Sequence, residues 1–245
     1  MRVAALYDVH GNLPALEAVL AETRRLGVDR IVVGGDVVPG PMCRECLERL
    51  RNLDRPVHFI RGNGESAVLA HRAGRGADSL PEQAREAVRW VADQLQADDE
   101  QMLAGWPETL TLTIDPLGEV LFCHATPRSD TEIFTVRTPE DRLLAVFEGV
   151  TARLVVCGHT HMQFDRAIGP ARVVNAGSVG MPFGERGAHW LLLGPEVDLR
   201  YTRYDFDAAA DRVRATDYPQ AQEFADCYIL QPPTEEEMLR RFASP

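Results

Sequence analysis

The sequence predicts an α/β protein whose parallel strands are covered by helices, and three observations predict it. Residues 2–63 alternate short apolar runs with amphipathic helical stretches in the order β-α-β-α-β. Residues from about 65 to 106 then read as helix. From Thr109 onward, strand patterns dominate, beginning with the period-two alternation of TLTLTID. Parallel strands joined by crossover helices are buried on both faces, in keeping with near-continuous apolar runs such as RVAALY and RIVVGG.

Taken in order, RVAALY gives a first strand and NLPALEAVLAETRRLG a helix, with Asn12 as its N-cap, Pro14 in its first turn and Gly27 as a left-handed cap. RIVVGG is the second strand. MCRECLERLRNL is the second helix, where the three-residue spacing of Cys43 and Cys46 places both sulfurs on one buried face. PVHFIRGN is the third strand. In the stretch that follows, Ser79 and Glu82 form a capping box, and Ala84, Ala87, Val88, Val91 and Leu95 mark one apolar face, so a helical insert is expected at about 65–106. The run Asp98, Asp99, Glu100 reads as a solvated helix start without a function. TLTLTID and EVLFCH lie on either side of the turn DPLG. A helix opened by Thr138 and Pro139 precedes the strands RLVVCGH, QFDRAI, ARVVNAG, HWLLLG and VDLRYTRY. The tail from Asp205 is helical and ends with a capping box from Thr234 to Glu237. No Gly- or Ser-rich linker divides the chain, so residues 1–245 are expected to form a single domain.

Composition narrows the function. The chain is 45% hydrophobic and 26% charged, an ordinary globular balance that excludes wholesale disorder. Its 26 basic and 37 acidic residues leave a formal net charge of −11, which repels polyanions, so stable nucleic-acid binding is not expected. A phosphorylated small molecule remains an admissible substrate where a bound divalent cation reverses the field locally. No apolar stretch reaches about 18 residues and Asp8 and His10 interrupt the N-terminus, so neither a membrane span nor a signal peptide is expected. Five cysteines, with one C-x-x-C and no second pair, read as reduced and mostly buried thiols of a cytoplasmic protein.

Polar ligand-type residues recur where predicted strands give way to loops: Asp8 and His10, Asp36, Asn63, His124, and His159 with His161. In open α/β sheets such loops converge on one crevice. Carboxylate, amide carbonyl and imidazole together suit borderline divalent cations. Each element is weak alone, since a lone D-x-H is mostly incidental and a single histidine is more simply a hydrogen-bonded loop or core residue. The G-H-T-H run is stronger, because His159 and His161 alternate around a turn and can face two adjacent cations. His58, His71 and His189 fall outside this pattern and read as structural.

With Asp8-Val9-His10, Gly35-Asp36, Gly62-Asn63-Gly64-Glu65, His124 and Gly158-His159-Thr160-His161 in this order, the sequence resembles the calcineurin-like metallophosphoesterase superfamily. The segment Asn175-Ala176-Gly177-Ser178 and the run DVHGN at Asp8 to Asn12 resemble its small bacterial and archaeal phosphodiesterase branch, with Ala176 in place of a proline. The resemblance implies a four-layer α-β-β-α sandwich of two facing mixed sheets, the metallo-dependent phosphatase fold. It also implies a binuclear centre of two divalent ions, drawn from Mn, Fe, Zn, Co or Ni. By carry-over, Asp8, His10 and His161 hold one ion, Asn63, His124 and His159 the other, and Asp36 bridges them. Asp36, Asn63 and His124 then also act in catalysis, by positioning the phosphate and the hydroxide between the ions for in-line attack on a phosphodiester or activated phosphoester.

The sequence departs from the family at Gly64, where many members have a histidine that neutralises phosphate and protonates the leaving oxygen; a glycine that sits at positive φ would resist its restoration. Tyr7 stands where a small residue is usual and bears on the shape of the pocket. Arg61 is a candidate phosphate contact, with a plain surface arginine as the alternative. Other readings are a phosphomonoesterase or dinucleoside polyphosphate hydrolase, and a non-catalytic protein-interaction scaffold. Retention of metal-competent side chains at every ligand position argues for catalysis.

Overall fold

A computed structural model describes residues 1–75 and 80–243 of the chain. Two five-stranded mixed sheets face each other. In the first, β1 (Val3–Leu6), β2 (Arg30–Val33) and β3 (Val57–Phe59) run parallel. Two antiparallel strands, β9 (Ala188–Leu193) and β10 (Val197–Thr202), extend the β1 edge to give the order β10-β9-β1-β2-β3. The second sheet has the order β4-β5-β6-β8-β7, from β4 (Thr109–Ile114), β5 (Gly118–Cys123), β6 (Leu154–Cys157), β7 (Phe164–Ile168) and β8 (Ala171–Asn175). Its three central strands β5, β6 and β8 are parallel and its edges are antiparallel.

Period-two alternation sorts side chains between layers. Val3, Ala5 and Tyr7 enter the core between the sheets with Ile60, Phe122, Val156 and Val174, while Ala4 and Leu6 point outward. The outer layers are unequal. Over the first sheet lie α1 (Leu13–Arg25), α2 (Cys43–Arg51), α3 (Asn63–Arg72), α4 (Glu82–Gln94), α5 (Ala97–Ala104), α7 (Phe206–Arg214) and α8 (Ala221–Phe224), all contributing to one apolar cluster. Over the second sheet, Phe134, Leu143 and Phe147 pack on Val155, Cys157 and Val173, and the only helix there among the described residues is the five-residue α6 (Glu140–Leu144). A wide π-type turn, Ala225–Leu230, continues α8, and α9 (Glu235–Ala243) lies by itself against Met162.

The caps follow the local chemistry. Asn12 Oδ1 accepts from Ala15 N at 3.2 Å, Gly27 sits at φ +64°, and Thr234 and Glu237 exchange cap hydrogen bonds at the start of α9. Cys43 and Cys46 are both buried, no disulfide links the five cysteines, and only Cys227 is exposed. Ala87, Val88, Val91 and Leu95 are buried as the apolar face of α4 predicts. Pro81 precedes that helix, while Ser79 lies outside the described residues. The acidic run departs from expectation: Asp98 is exposed, but Asp99 is buried, caps α5 by accepting from Gln96 N, and faces Arg44 and Arg51. Among the described residues no helix is long and apolar enough to cross a membrane.

Candidate metal centre

All the parallel strands present their carboxyl ends to one crevice, and the residues that follow them meet there. Asp8 and His10 follow β1, Asp36 follows β2, Asn63 opens α3 after β3, His124 follows β5, and His159 and His161 follow β6. Asp8, His10 and His161 each offer a ligand atom, all within 4.8 Å of one another, and so do Asp8, Asp36 and His124. Asn63 Oδ1 lies 2.9 Å from His124 Nε2, and the His159 ring sits 5.2 Å from that of His124, centroid to centroid. The structure thus brings seven of the sequence-expected residues together.

The backbone at these positions is held in an unfavourable region. Asp8, His10, Asp36, His159 and His161 have φ between 45° and 66°, and among the described residues they are the only non-glycines at positive φ. Such residues cost on the order of 1 kcal/mol each and persist where surroundings over-determine them. Here the surroundings are the neighbouring loops: Asp8 N donates to Gly35 O, His10 N to Asp36 O, and His159 N to Asp8 Oδ2.

Hydrogen bonds fix which ring nitrogen of three histidines faces inward. Nδ1 of His10 lies 3.2 Å from Pro39 O, Nδ1 of His124 2.9 Å from Gly34 O, and Nδ1 of His161 2.6 Å from Met181 O. A carbonyl oxygen only accepts, so in the neutral rings Nδ1 carries the proton and Nε2 presents its lone pair to the crevice. Nε2 of His10 and Nε2 of His161 are 3.2 Å apart, and Asp8 Oδ1, 3.3 Å from His161 Nε2, is buried without a hydrogen-bond partner. Converging lone pairs and an orphaned buried carboxylate oxygen fit divalent cations, because no donor of the protein satisfies them.

The electrostatics agree. Burial pushes Asp8 upward, but the imidazoles of His161, His124 and His10 outweigh it and hold the carboxyl well below the usual range. Burial, reinforced by Glu65 and Asp8 and opposed by His124, raises Asp36 to about 7. Burial and His161 lower His10 to about 3, and burial and His124 lower His159 to about 4. His124 is the exception: burial opposes its charge, yet Asp36 and Asp8 raise it above the usual imidazole range. The two carboxylates demand positive charge beside His124, either its own proton or a cation in that place.

Glu65 carries weight that its place at the end of the Gly62-Asn63-Gly64-Glu65 block hardly announces. Fully buried, its carboxylate accepts from the backbone N–H groups of Asp36, Val37, Val38 and Gly62 at 2.8–3.1 Å. One side chain therefore caps α3 and fixes the loop that carries Asp36. Ser178 Oγ donates to Asp8 O at 2.7 Å and accepts from Met181 N, and Asn175 Nδ2 donates to Gly158 O. The only sequence signal for these groups was the family-like spacing of their segments.

Three expectations are refined. Gly64 is not at positive φ; it lies in the first turn of α3, where a Cβ would stand 2.1 Å from Val38 O and 2.8 Å from Pro39 Cδ. The loop of Val38 and Pro39 therefore occupies the space a side chain at 64 would need, and a histidine there requires backbone movement. Tyr7 does not narrow the crevice: its ring is buried between the sheets against Gly34 and Gly158, and its hydroxyl donates to Val156 O at 3.0 Å. Arg61 pairs with Glu108 at 3.0 Å. His189, read as structural, faces Gln163 Oε1 and Glu185 O.

A calcineurin-like phosphoesterase superfamily domain matches residues 1–196. The chain is 29% identical over 163 residues to the uncharacterised protein MJ0912 of Methanocaldococcus jannaschii, an alignment covering 66% of this chain and 63% of that protein. In structure it resembles a metallophosphoesterase from Sphaerobacter thermophilus, with a TM-score of 0.71 at 28% identity over 92% of this chain and 97% of the other. It shares the fold of the hypothetical protein PH1004 from Pyrococcus horikoshii OT3, with a TM-score of 0.81 at 21% identity over 95% and 99% of the two chains. The family match over most of the chain, on a two-sheet fold that gathers carboxylates and imidazoles at one crevice, makes this protein a member of the calcineurin-like phosphoesterase superfamily.

Proposed function

We propose that the protein hydrolyses phosphodiesters and activated phosphoesters of small molecules at a centre of two divalent cations. The observation that carries the reading is the orientation of His10, His124 and His161, whose Nδ1 atoms rest on backbone carbonyls so that their Nε2 atoms converge on Asp8 and Asp36. In this reading Asp8, His10 and His161 hold one cation, and Asn63, His124 and His159 the other. Asp36 is shared between them, since its Oδ2 faces His10 at 3.7 Å and its Oδ1 faces His124 at 3.6 Å. Cations bound there supply polarisation of the phosphoryl oxygens and a water nucleophile at neutral pH.

The protein's own contribution is placement and charge. Asp8 and Asp36 offset cation–cation repulsion, and the carbonyl tethers keep the imidazoles from swinging out when substrate enters. Gly64 offers no proton to a leaving alkoxide, and Arg61 is engaged by Glu108. A phosphomonoester dianion of a poor alcohol therefore meets neither the extra counter-charge nor the acid it needs, which favours diesters and good leaving groups. The helical stretch at about 65–106 reads as an insert that shapes the approach, within one unit spanning 1–245.

Elemental analysis of metal-reconstituted protein, coupled to kcat/KM for matched aryl and alkyl mono- and diesters, tests this. Two ions per chain and a steep dependence on leaving-group pKa are expected. One ion or none at saturation overturns the binuclear centre. Efficient alkyl monoester hydrolysis with little leaving-group dependence overturns the substrate preference.

A further inference from the structure

A cavity of about 360 Å³ lies between α3 and α4 and opens onto the ligand cluster, with His10, Asp36 and Asn63 at its inner end. Its walls are Ala67 and Ala70 of α3, Leu80, and Ala84 and Val88 of α4. The spacings of three and four residues put each pair on one helical face, so the two helices turn small apolar side chains toward each other. Three alanines where two helices meet leave unfilled the space that larger residues would occupy. The volume falls in the range of small-ligand pockets, and a cavity of roughly 150 Å³ already holds benzene.

The charge of the lining is as informative as its shape. The chain has 26 basic residues, yet none is among the described residues that line this cavity. Among the described residues, the one ionisable side chain in the lining outside the ligand cluster is Asp130, whose Oδ2 accepts from Ser66 Oγ at 2.8 Å. A second phosphate or a carboxylate placed here would meet a carboxylate and no counter-charge, whereas an apolar group would leave water for a matching wall.

We propose that this cavity is the subsite for an uncharged, apolar, ring-sized organic group of the phosphoester, and that Ala67, Ala70 and Ala84 set specificity by staying small. The proposal rests on the reading of the adjacent cluster as the place where the phosphoryl group binds. It assigns the protein to esters of apolar alcohols and away from nucleoside polyphosphates, whose further phosphates the lining repels.

Calorimetry on the Mn²⁺-loaded protein tests it with methylphosphonate, benzylphosphonate and 4-(phosphonomethyl)benzoate, each as its P-monomethyl ester so that the phosphoryl group carries the single charge of a diester. Benzylphosphonate is expected to bind at least tenfold more tightly than methylphosphonate, and the added carboxylate to remove that gain. Ala84→Leu, which fills the cavity with a good helix former, is expected to collapse the benzyl-to-methyl preference at least tenfold. Equal binding of the two phosphonates, or a preference that survives Ala84→Leu, overturns the subsite. Failure of every phosphonate to bind overturns the reading of the ligand cluster. Alanine-methyl NMR of the unsubstituted protein then decides the subsite separately: benzyl alcohol should shift the methyls of Ala67, Ala70 and Ala84, and unshifted methyls overturn the proposal.

Discussion

Asp36, Asn63 and His124 stand over loops that one buried carboxylate gathers, whereas the loops of His10 and His161, across the crevice, are tied by the smaller neutral groups of Ser178 and Asn175. On the first side Glu65 gathers four backbone N–H groups, Gly64 N donates to Asp36 Oδ1 at 2.7 Å, and His124 is fully buried against Gly34 O. On the second side each imidazole leans on one carbonyl, and His161 is backed by the stacked ring of Phe183 at 4.9 Å. Phe183 in turn meets Phe242 of α9, beyond the segment that matches the family domain. The braced side is set by buried hydrogen bonds within the domain. The other adds to its hydrogen bonds an aromatic contact reaching into the tail, so the two sides should respond differently to substitution.

The sharpest test removes what the sides share. Asp36→Asn takes away the charge that faces both His10 and His124, and a loss of several kcal/mol of transition-state stabilisation lowers kcat/KM by about 10³-fold or more. Metal analysis should show both ions weakened; retention of both ions with full turnover would sink the shared role.

Glu65→Ala probes the bracing. Four buried N–H groups lose their acceptor, and at about 1–3 kcal/mol for each group left unsatisfied the variant should lose at least ~3 kcal/mol of stability. Chemical denaturation measures this, and a change below 1 kcal/mol would show that water or rearrangement replaces the carboxylate. His124→Ala and His159→Ala should each leave a folded protein with one ion per chain, because Asp8, His10 and His161 remain. If either variant kept both ions and the full rate, the division of ligands would be wrong.

Gly64→Ala forces the Val38 carbonyl to move, and overpacking of this kind costs about 1–3 kcal/mol. Thermal unfolding should register it, and Gly64→His should be worse rather than better as a monoesterase. The smallest effect is expected from Phe183→Ala, which frees one face of His161; such outer support is worth about 10-fold in metal affinity. A loss of folding stability from Phe183→Ala as large as that from Glu65→Ala would erase the contrast between the two sides.

Much of this centre was legible in the chain. Strand-to-loop transitions are local patterns of apolar runs, and residues at the ends of successive parallel strands must converge. The order of Asp8, Asp36, Asn63, His124 and His159 therefore already implied one crevice. Asp99 departs from its pattern because a charged helix start usually faces water, and only the approach of Arg44 and Arg51 buries it. The shortness of α6 was likewise invisible, since Thr138 and Pro139 mark a start but nothing local marks how soon packing ends the helix.

The sequence by itself determined which side chains reach the crevice, because strand alternation and loop placement are set within a few residues. The tertiary structure alone decided how they act. The carbonyls that orient His10, His124 and His161 come from positions 29, 90 and 20 residues away. Glu65 closes on a loop 27–29 residues distant, Val38 excludes a side chain at position 64, and two helices leave a cavity between them. Each is a contact between segments far apart in the chain, and such contacts exist only once the sheets have brought those segments within hydrogen-bonding and van der Waals range.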